Sequence, residues 1–381
     1  MAFTPADHNF MTRALQLAAK GRFTTDPNPN VGAVIVNNGK VVGEGYHHQA
    51  GQGHAEVYAL AEAGGQARSA TCYVTLEPCS HFGRTPPCAE ALIAAGVSRV
   101  VIAMLDPNPL VAGKGVALLE QAGIRVESGL MEAEARALNR GFLSAMERQR
   151  PWLRLKLAAS IDGRTALANG QSKWITSPAA RADVQLHRAQ SSAVLSTAST
   201  VLADNARLTV RQPADATPIT TLNNGELRQP LRIILDRRQQ LTGSEPLFSL
   251  AGPILLCIAP DKPQRQMPSQ VEQQVVPLKG DGYFDLAALL KLLAARQVRS
   301  IWVEAGATLA GSLLQQQLVD EFILYQAPVL LGPQARAMAA LPELTALSQA
   351  NRFEFNEICR LGPDLRLTAL LSAANSAEAD Y

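Results

Sequence analysis

The tripeptide His54-Ala55-Glu56, followed downstream by Pro78-Cys79 and then Cys88, constrains the fold more than any other feature of the chain. One imidazole and two thiols can hold a borderline metal, but only if the chain folds back to bring them together. His54 and Glu56 stand two apart, so in mid-helix they would point to different faces. At the first turn of a helix both can reach a site lying off its end. Cys88 also falls where a helix starts, in Cys88-Ala89-Glu90-Ala91-Leu92. The positive ends of helix dipoles favour thiolates, so the pattern asks for two helix starts at one site.

The surrounding pattern is that of an α/β protein. Thr4 caps an opening helix, Pro5 suits its first position, and Phe10, Ala14, Leu17 and Ala18 form its apolar face until Gly21. Residues 31–36 and 40–46 read as strands joined by Asn37-Asn38-Gly39, a hairpin signal. Helices and strands then alternate: a helix from His54 to Ala63, strand 71–76, helix 88–96, strand 97–104, helix 113–123, strand 124–128 and one helix over 132–149. This suggests βα units on a largely parallel sheet. A second unit begins near Pro151 with the apolar strand 152–160, giving domains 1–149 and 150–381. It continues with a helix from Ser177-Pro178 to Gln190, a strand at 192–196, a short helix from Thr197 and a long polar loop over 211–230. Further strands are expected at 231–236, 252–259, 300–306 and 322–332, with helices near 285–296 and 308–317. The last ten residues read as a frayed tail.

Charge and composition exclude several classes of function. The net charge is +2, and residues 1–150 hold 13 Lys+Arg against 13 Asp+Glu. No basic stripe marks a nucleic-acid surface, and aromatic residues are only 5% of the chain. The five cysteines are odd in number and thinly spread, which argues against a disulfide framework. The opening residues lack the pattern of a signal peptide, and no apolar stretch is long enough to span a membrane. A cytoplasmic protein acting on small molecules is expected. Five of the six histidines and three of the five cysteines fall in the first 100 residues, so metal chemistry belongs to the first half.

That chemistry has a defined form. Zinc deaminases use H-x-E…P-C-x-x-C, with one His and two Cys on zinc and a Glu that stays off the metal. Three ligands leave a fourth position for water, whose pKa the metal lowers, and a nearby carboxylate moves protons. His81 is a possible fourth ligand, which would make the site structural and closed. Glu56 decides for the open reading, because a structural zinc has no use for an adjacent proton carrier. One departure is plain: eight residues, Ser80 to Pro87, separate the cysteines here instead of two.

With "NPNVGAVIV", "HAEVYAL", "VTLEPCSHFGRTPPC", "DPNP" and "VAGKG", the first half resembles the deaminase half of the bifunctional riboflavin-biosynthesis deaminase/reductases, which share the long inter-cysteine loop. The resemblance implies a cytidine-deaminase-like three-layer fold, zinc on His54, Cys79 and Cys88, and Glu56 as proton shuttle. It also implies substrate contacts from Asn28, His47 and Arg84. Ordinary turn chemistry for Asn28 and a solvent-exposed His47 are the plain rivals. The rival function is a zinc deaminase of nucleic-acid bases with an accessory domain.

Read alone, the second half says only α/β, with a Gly306 strand-to-helix turn of the kind that lets a diphosphate approach. It lacks G-x-G-x-x-G. "KLAASIDGRTA", "SKWITS", "RAQSSAVLSTASTVLADNARLTVR" and "WVEAGATLAGSLL" resemble the reductase half of the same family, whose fold is similar to dihydrofolate reductase. That implies NADPH, with contacts at Ala158, Trp174, Thr200, Asp204 and the turn Gly306, Ala307, Thr308, Leu309, Ala310, Gly311 and Ser312. It implies substrate contacts at Ser172, Arg188, Leu208, Arg211 and Glu304, with Lys156 and Glu304 near the reacting carbon. Arg188 and Arg211 with Ser172 suit a phosphate. Arg237 is a candidate for the cofactor's 2′-phosphate, or a solvated arginine. Lys156 lies inside an apolar strand, as an edge residue facing water or as a buried amine. Trp174 is equally a core candidate. The expected partners are phosphorylated pyrimidines, with no nucleic acid and no membrane, in a homo-oligomer.

Overall fold

A computed structural model describes residues 3–80, 87–108, 112–213 and 217–372. His81, Arg84 and nearly all of the expected C-terminal tail lie outside the described residues. The chain divides into two compact units: residues 1–150 with 220–225, and residues 151–219 with 226–381.

The first unit contains α1 (Pro5–Ala18), β1 (Gly32–Asn37), β2 (Lys40–Tyr46), α2 (Ala55–Ala63), β3 (Thr71–Val74), α3 (Cys88–Ala94), β4 (Arg99–Ile102), α4 (Lys114–Gln121), β5 (Arg125–Ser128), α5 (Glu132–Leu138) and α6 (Arg140–Arg148). Thr4 and Asp7 form a capping box at α1. The sheet order is β2-β1-β3-β4-β5. Its β3-β4-β5 part is parallel, whereas β1 is antiparallel to both β2 and β3, so the sheet is more mixed than the alternation suggests. Side chains alternate across it. Ala33, Ile35, Val74 and Val100 pack with Ala55, Ala59, Leu92 and Leu119 on one face. Val34, Tyr73 and Val101 meet Met11, Ala14, Ala135 and Leu143 on the other. These are three layers.

Helix α2 lies tight against β2 because Gly43 and Gly45 face it. A Cβ on either would stand 2.1 or 2.2 Å from the carbonyl oxygens of Ala59 and Ala55. The alanines complete the seam, and this close docking fixes where His54 sits at the head of α2.

The single helix expected over 132–149 is interrupted at Asn139, whose backbone leaves the helical region. The buried Asn139 amide accepts from the Asn30 N–H (2.7 Å) and donates to the Asn30 carbonyl (3.0 Å). Helical periodicity continues across the break, so the interruption came from a tertiary contact. Its effect is to hold the Pro27–Asn30 turn that carries Asn28.

The second unit contains β6 (Trp152–Ser160), β7 (Arg164–Ala166), α7 (Pro178–Gln190), β8 (Ala193–Thr197), α8 (Ala198–Asp204), β9 (Leu231–Leu235), β10 (Ile254–Ile258), β11 (Val271–Val275), α9 (Leu286–Ala295), β12 (Ser300–Glu304), α10 (Ala307–Gln315), β13 (Glu321–Ala327), β14 (Arg336–Ala337), β15 (Phe353–Leu361) and β16 (Asp364–Leu371). The large sheet runs β11-β10-β9-β8-β12-β6-β13-β16-β15. It is parallel from β11 to β13 and closes with an antiparallel hairpin. Leu153, Leu155, Leu195 and Ile233 pack under α9 and α10. Val194, Ile234, Trp302 and Tyr325 form the opposite core with Ala180 of α7 and Val201 of α8. Burial on both faces explains why β10 reads as an unbroken apolar run. No described helix is long and apolar enough to cross a membrane.

Candidate functional sites

In the first unit, His54 is the N-cap residue of α2 and Cys88 opens α3. Cys79 follows β3 on the turn leading away from the sheet. Nδ1 of His54 lies 3.5 Å from Cys79 Sγ and 3.3 Å from Cys88 Sγ. All three ligand atoms lie within 4.8 Å of one another, the only such group of three found among the described residues. Two helix starts thus face one point, as the spacing requires.

The thiols titrate as a pair. Cys79 is held down to about 4, first by a hydrogen bond from Cys88 and then by His54, despite burial. Its charge, with burial, pushes the Cys88 thiol up. One negative sulfur beside a second thiol and an imidazole nitrogen is a donor set that suits zinc. Glu56 supplies an independent mark. It is 3% exposed, and its Oε2 is buried with no hydrogen-bond partner among the described residues. Burial pushes its carboxyl up. An orphaned carboxylate oxygen beside a three-ligand cluster fits a metal that keeps a place for water.

His47 and Asn28 form an adjoining pair. His47 is 2% exposed, which excludes the solvated reading. Its Nδ1 stands 2.9 Å from the Gly53 carbonyl, an acceptor only, so Nδ1 carries the proton. Nε2 is therefore the acceptor from Asn28 Nδ2 at 3.1 Å. The His47 and His54 rings meet edge to face at 5.6 Å. Asn28 is thereby held on His47, whose ring meets that of His54, with its amide oxygen outside this bond.

In the second unit, Lys156 lies on β6, paired with β12 on one side and β13 on the other, so the edge-strand reading falls. Register sets Lys156 beside Glu304. Burial lowers the amine's pKa, with Glu304 opposing. Glu304 accepts from Arg188 Nε (2.5 Å) and Nη2 (2.8 Å) and from the Trp302 indole (2.8 Å). Burial would raise its carboxyl, but Arg188 and Lys156 hold it down at about 2. Arg188 also donates to the Thr209 carbonyl (2.9 Å). Its donors are thus largely engaged within the protein. Arg211, on the loop after α8, has its pKa lowered by partial desolvation of its guanidinium and then by the nearby Arg188 and Arg207.

Trp174 is 70% exposed with Arg181 over its ring at 4.4 Å, so the core reading is overturned. Neighbouring Ser172 is half-buried, and Lys173 reaches the Asp204 carbonyl (2.9 Å). Thr200 sits in the first turn of α8, its hydroxyl 3.0 Å from Thr197 Oγ1, and Ala158 is on β6. Gly306, Ala307 and Thr308 are at the open start of α10, whereas Leu309, Ala310 and Gly311 are buried within it. Ser312 bonds Gln316. Leu208 is buried in a left-handed conformation. Arg237 packs on Tyr283 (4.8 Å) and donates to Gly282.

Sequence reasoning missed a buried network behind Glu304. Asp183 accepts from the Tyr325 hydroxyl (2.7 Å) and Arg366 (2.9 Å), and His187 stacks on Trp302 at 4.8 Å. The signal available was three polar residues at helical and strand positions facing the core, Asp183, His187 and Tyr325.

Comparison with known proteins covers both units. The description "RibD C-terminal domain" matches residues 151–367, and "Cytidine and deoxycytidylate deaminase zinc-binding region" matches residues 4–104. The riboflavin biosynthesis protein RibD of Escherichia coli is 53% identical over 362 residues, covering 95% of this chain and 98% of that protein. The solved structure of Acinetobacter baumannii RibD superposes with a TM-score of 0.88 at 46% identity, covering 96% of this chain and 99% of that one. A Thermotoga maritima structure, titled a diaminohydroxyphosphoribosylaminopyrimidine deaminase/5-amino-6-(5-phosphoribosylamino)uracil reductase, gives 0.84 at 32% identity, with 96% and 99% covered.

Proposed function

The chain belongs to the RibD family of bifunctional riboflavin-biosynthesis enzymes, with a zinc deaminase half and a reductase half, and on that premise we propose how its residues divide the work. Residues 1–149 deaminate a diaminopyrimidine ribosylamino-phosphate, and residues 150–381 reduce the ribosyl group of the resulting aminouracil to ribityl. The observation that carries the first assignment is Glu56, whose buried oxygen has no partner among the described residues, two residues after His54 of the three-ligand cluster.

Zinc held by His54, Cys79 and Cys88 would supply Lewis acidity to activate water at neutral pH. Glu56 takes one proton from a water attacking the amino-bearing ring carbon and gives it to the adjacent ring nitrogen; the remaining proton of that oxygen then passes by way of Glu56 to the amine, and the carbon–nitrogen bond breaks to release ammonia. Asn28, oriented by His47, contacts the ring, and Arg84, outside the described residues, meets the phosphate.

In the second unit NADPH would supply the hydride. Trp174, Thr200, Asp204, Ala158 and the Gly306–Ser312 turn hold the cofactor. Ser172, Arg188, Leu208, Arg211 and Glu304 hold the substrate, and Lys156 with Glu304 lines the reacting carbon. The cofactor reading has its own test. Trp174 is one of three tryptophans and the most exposed. NADPH binding is expected to quench protein fluorescence, and Trp174→Phe to remove most of that change. Trp174→Ala, which removes the stacked aromatic outright, raises the NADPH Kd about fivefold. A quench of unchanged size in Trp174→Phe would place the cofactor elsewhere.

The whole reading is tested on purified protein by three measurements. We expect about one bound zinc per chain, ammonia release from the diaminopyrimidine ribosylamine phosphate, and NADPH oxidation with the deaminated product. A homo-oligomer working in the cytoplasm on small molecules fits the balanced charge, with light scattering the check on assembly. A shift of single-stranded RNA at low salt would favour the base-deaminase reading instead.

A further inference from the structure

We propose that Glu77 is a positioning residue for the metal ligand Cys79, clamping the ligand-bearing turn to the start of α4. Glu77 stands two residues before Cys79 and is 3% exposed. Its carboxylate accepts four backbone N–H groups, one from Asp106 and three from the start of α4. Oε2 takes Asp106 (3.2 Å) and Gly113 (3.0 Å), and Oε1 takes Gly115 (3.0 Å) and Val116 (3.3 Å).

Helix α4 begins at Gly113 with no side-chain cap of its own. Glu77 therefore supplies from β3's exit the anion that a helix start favours. The contact is close: a Cβ on Gly115 would stand 2.0 Å from the Pro78 carbonyl oxygen. The Glu77 N–H also donates to the Met104 carbonyl (3.0 Å). From the other side, the start of α3 grips Cys79. Its carbonyl accepts from Ala89 (3.2 Å) and its sulfur from the Cys88 N–H (3.4 Å). Residues 77–79 are thus held between two helix starts.

Only a carboxylate meets this demand. Two oxygens with two lone pairs each satisfy four donors, whereas an amide would turn its own N–H groups toward two of them. Those orphaned groups would release the loop, and with it the turn that sets Cys79. Changes behind a metal ligand commonly weaken metal binding about 10–100-fold.

The inference rests on zinc being held by His54, Cys79 and Cys88. Zinc affinity of the full chain is measured by competition with a coloured chelator. Failure of the unaltered protein to bind zinc would remove that premise and the clamp with it. Given a zinc-binding protein, Glu77→Gln is expected to raise the zinc Kd at least about tenfold. Ammonia release should fall at limiting zinc and return in excess zinc, with NADPH oxidation unchanged. A smaller rise in Kd, or activity that excess zinc does not restore, overturns the proposal whatever happens to stability. Should Glu77→Gln fail to accumulate, Gly115→Ala pushes α4 off the Pro78 carbonyl and leaves the carboxylate intact. The same Kd criterion then decides.

Discussion

Glu56→Gln is expected to slow ammonia release about 1,000-fold while leaving zinc content and NADPH-dependent reduction unchanged. Glutamine fills the same buried space at the start of α2, so packing of Ala55 and Ala59 against β2 is retained. It cannot take up and pass on a proton, the role proposed for this carboxylate, whose Oε2 bonds nothing among the described residues. Burial raises the Glu56 carboxyl above its ordinary value, the direction that suits a group proposed both to accept and to donate. Zinc should remain because His54, Cys79 and Cys88 carry the ligand atoms. Ammonia release within tenfold of the unaltered protein, or loss of both activities together, would defeat the assignment.

The candidate metal cluster was legible because each of its residues carries a local signal, although His54 lies 25 and 34 residues from the two thiols. An imidazole at a helix start, a carboxylate two residues on and a thiol at the next helix start carry their own spatial instructions. The eight-residue gap between the cysteines affects the loop, not the two anchoring helix ends. What lay outside that reading came from contacts distant in sequence. Asn139 breaks a helix whose apolar period is uninterrupted, because its amide pairs with Asn30 across 109 residues. Glu77 reads as an ordinary strand-end acid until α4 is brought beside it.

The second unit was harder for the same reason. Residues of β15 and β16 were not expected as strands. They form the outer hairpin of the sheet, and β15 exposes Phe355 and Ile358 with Glu354 and Glu357. An edge strand needs no clean alternation. The roles of Lys156 and Trp174 were ambiguous because alternation in a strand gives a face, not a neighbour. Only the order β12-β6-β13 makes Lys156 central, and only the fold leaves Trp174 at the surface. The resemblance to a known family, and not periodicity, drew Arg188 and Glu304 together in advance.

That pair supports the other large effect. Glu304→Gln is expected to abolish detectable reduction and to destabilise the second unit by about 3 kcal/mol, leaving ammonia release intact. The Arg188 and Glu304 side chains are 10% and 14% exposed. Removing the acid leaves a buried guanidinium with the Thr209 carbonyl as its remaining partner among these contacts. It also removes the charge that offsets burial of Lys156. All three tryptophans fall in the second unit, so urea unfolding followed by their fluorescence reports that unit alone. The acid dependence has a definite sign. Glu304 is held at about 2, below its ordinary 4.5, so its contribution is present above pH 4.5 and is lost as pH falls toward 2. The unaltered protein should lose stability over that range, and Glu304→Gln should lose less. An unchanged urea midpoint with reduction within tenfold would mean that the ion pair neither holds the site nor serves it. A lowered midpoint with full activity in folded protein would leave Glu304 a structural anchor and return the chemistry to Lys156.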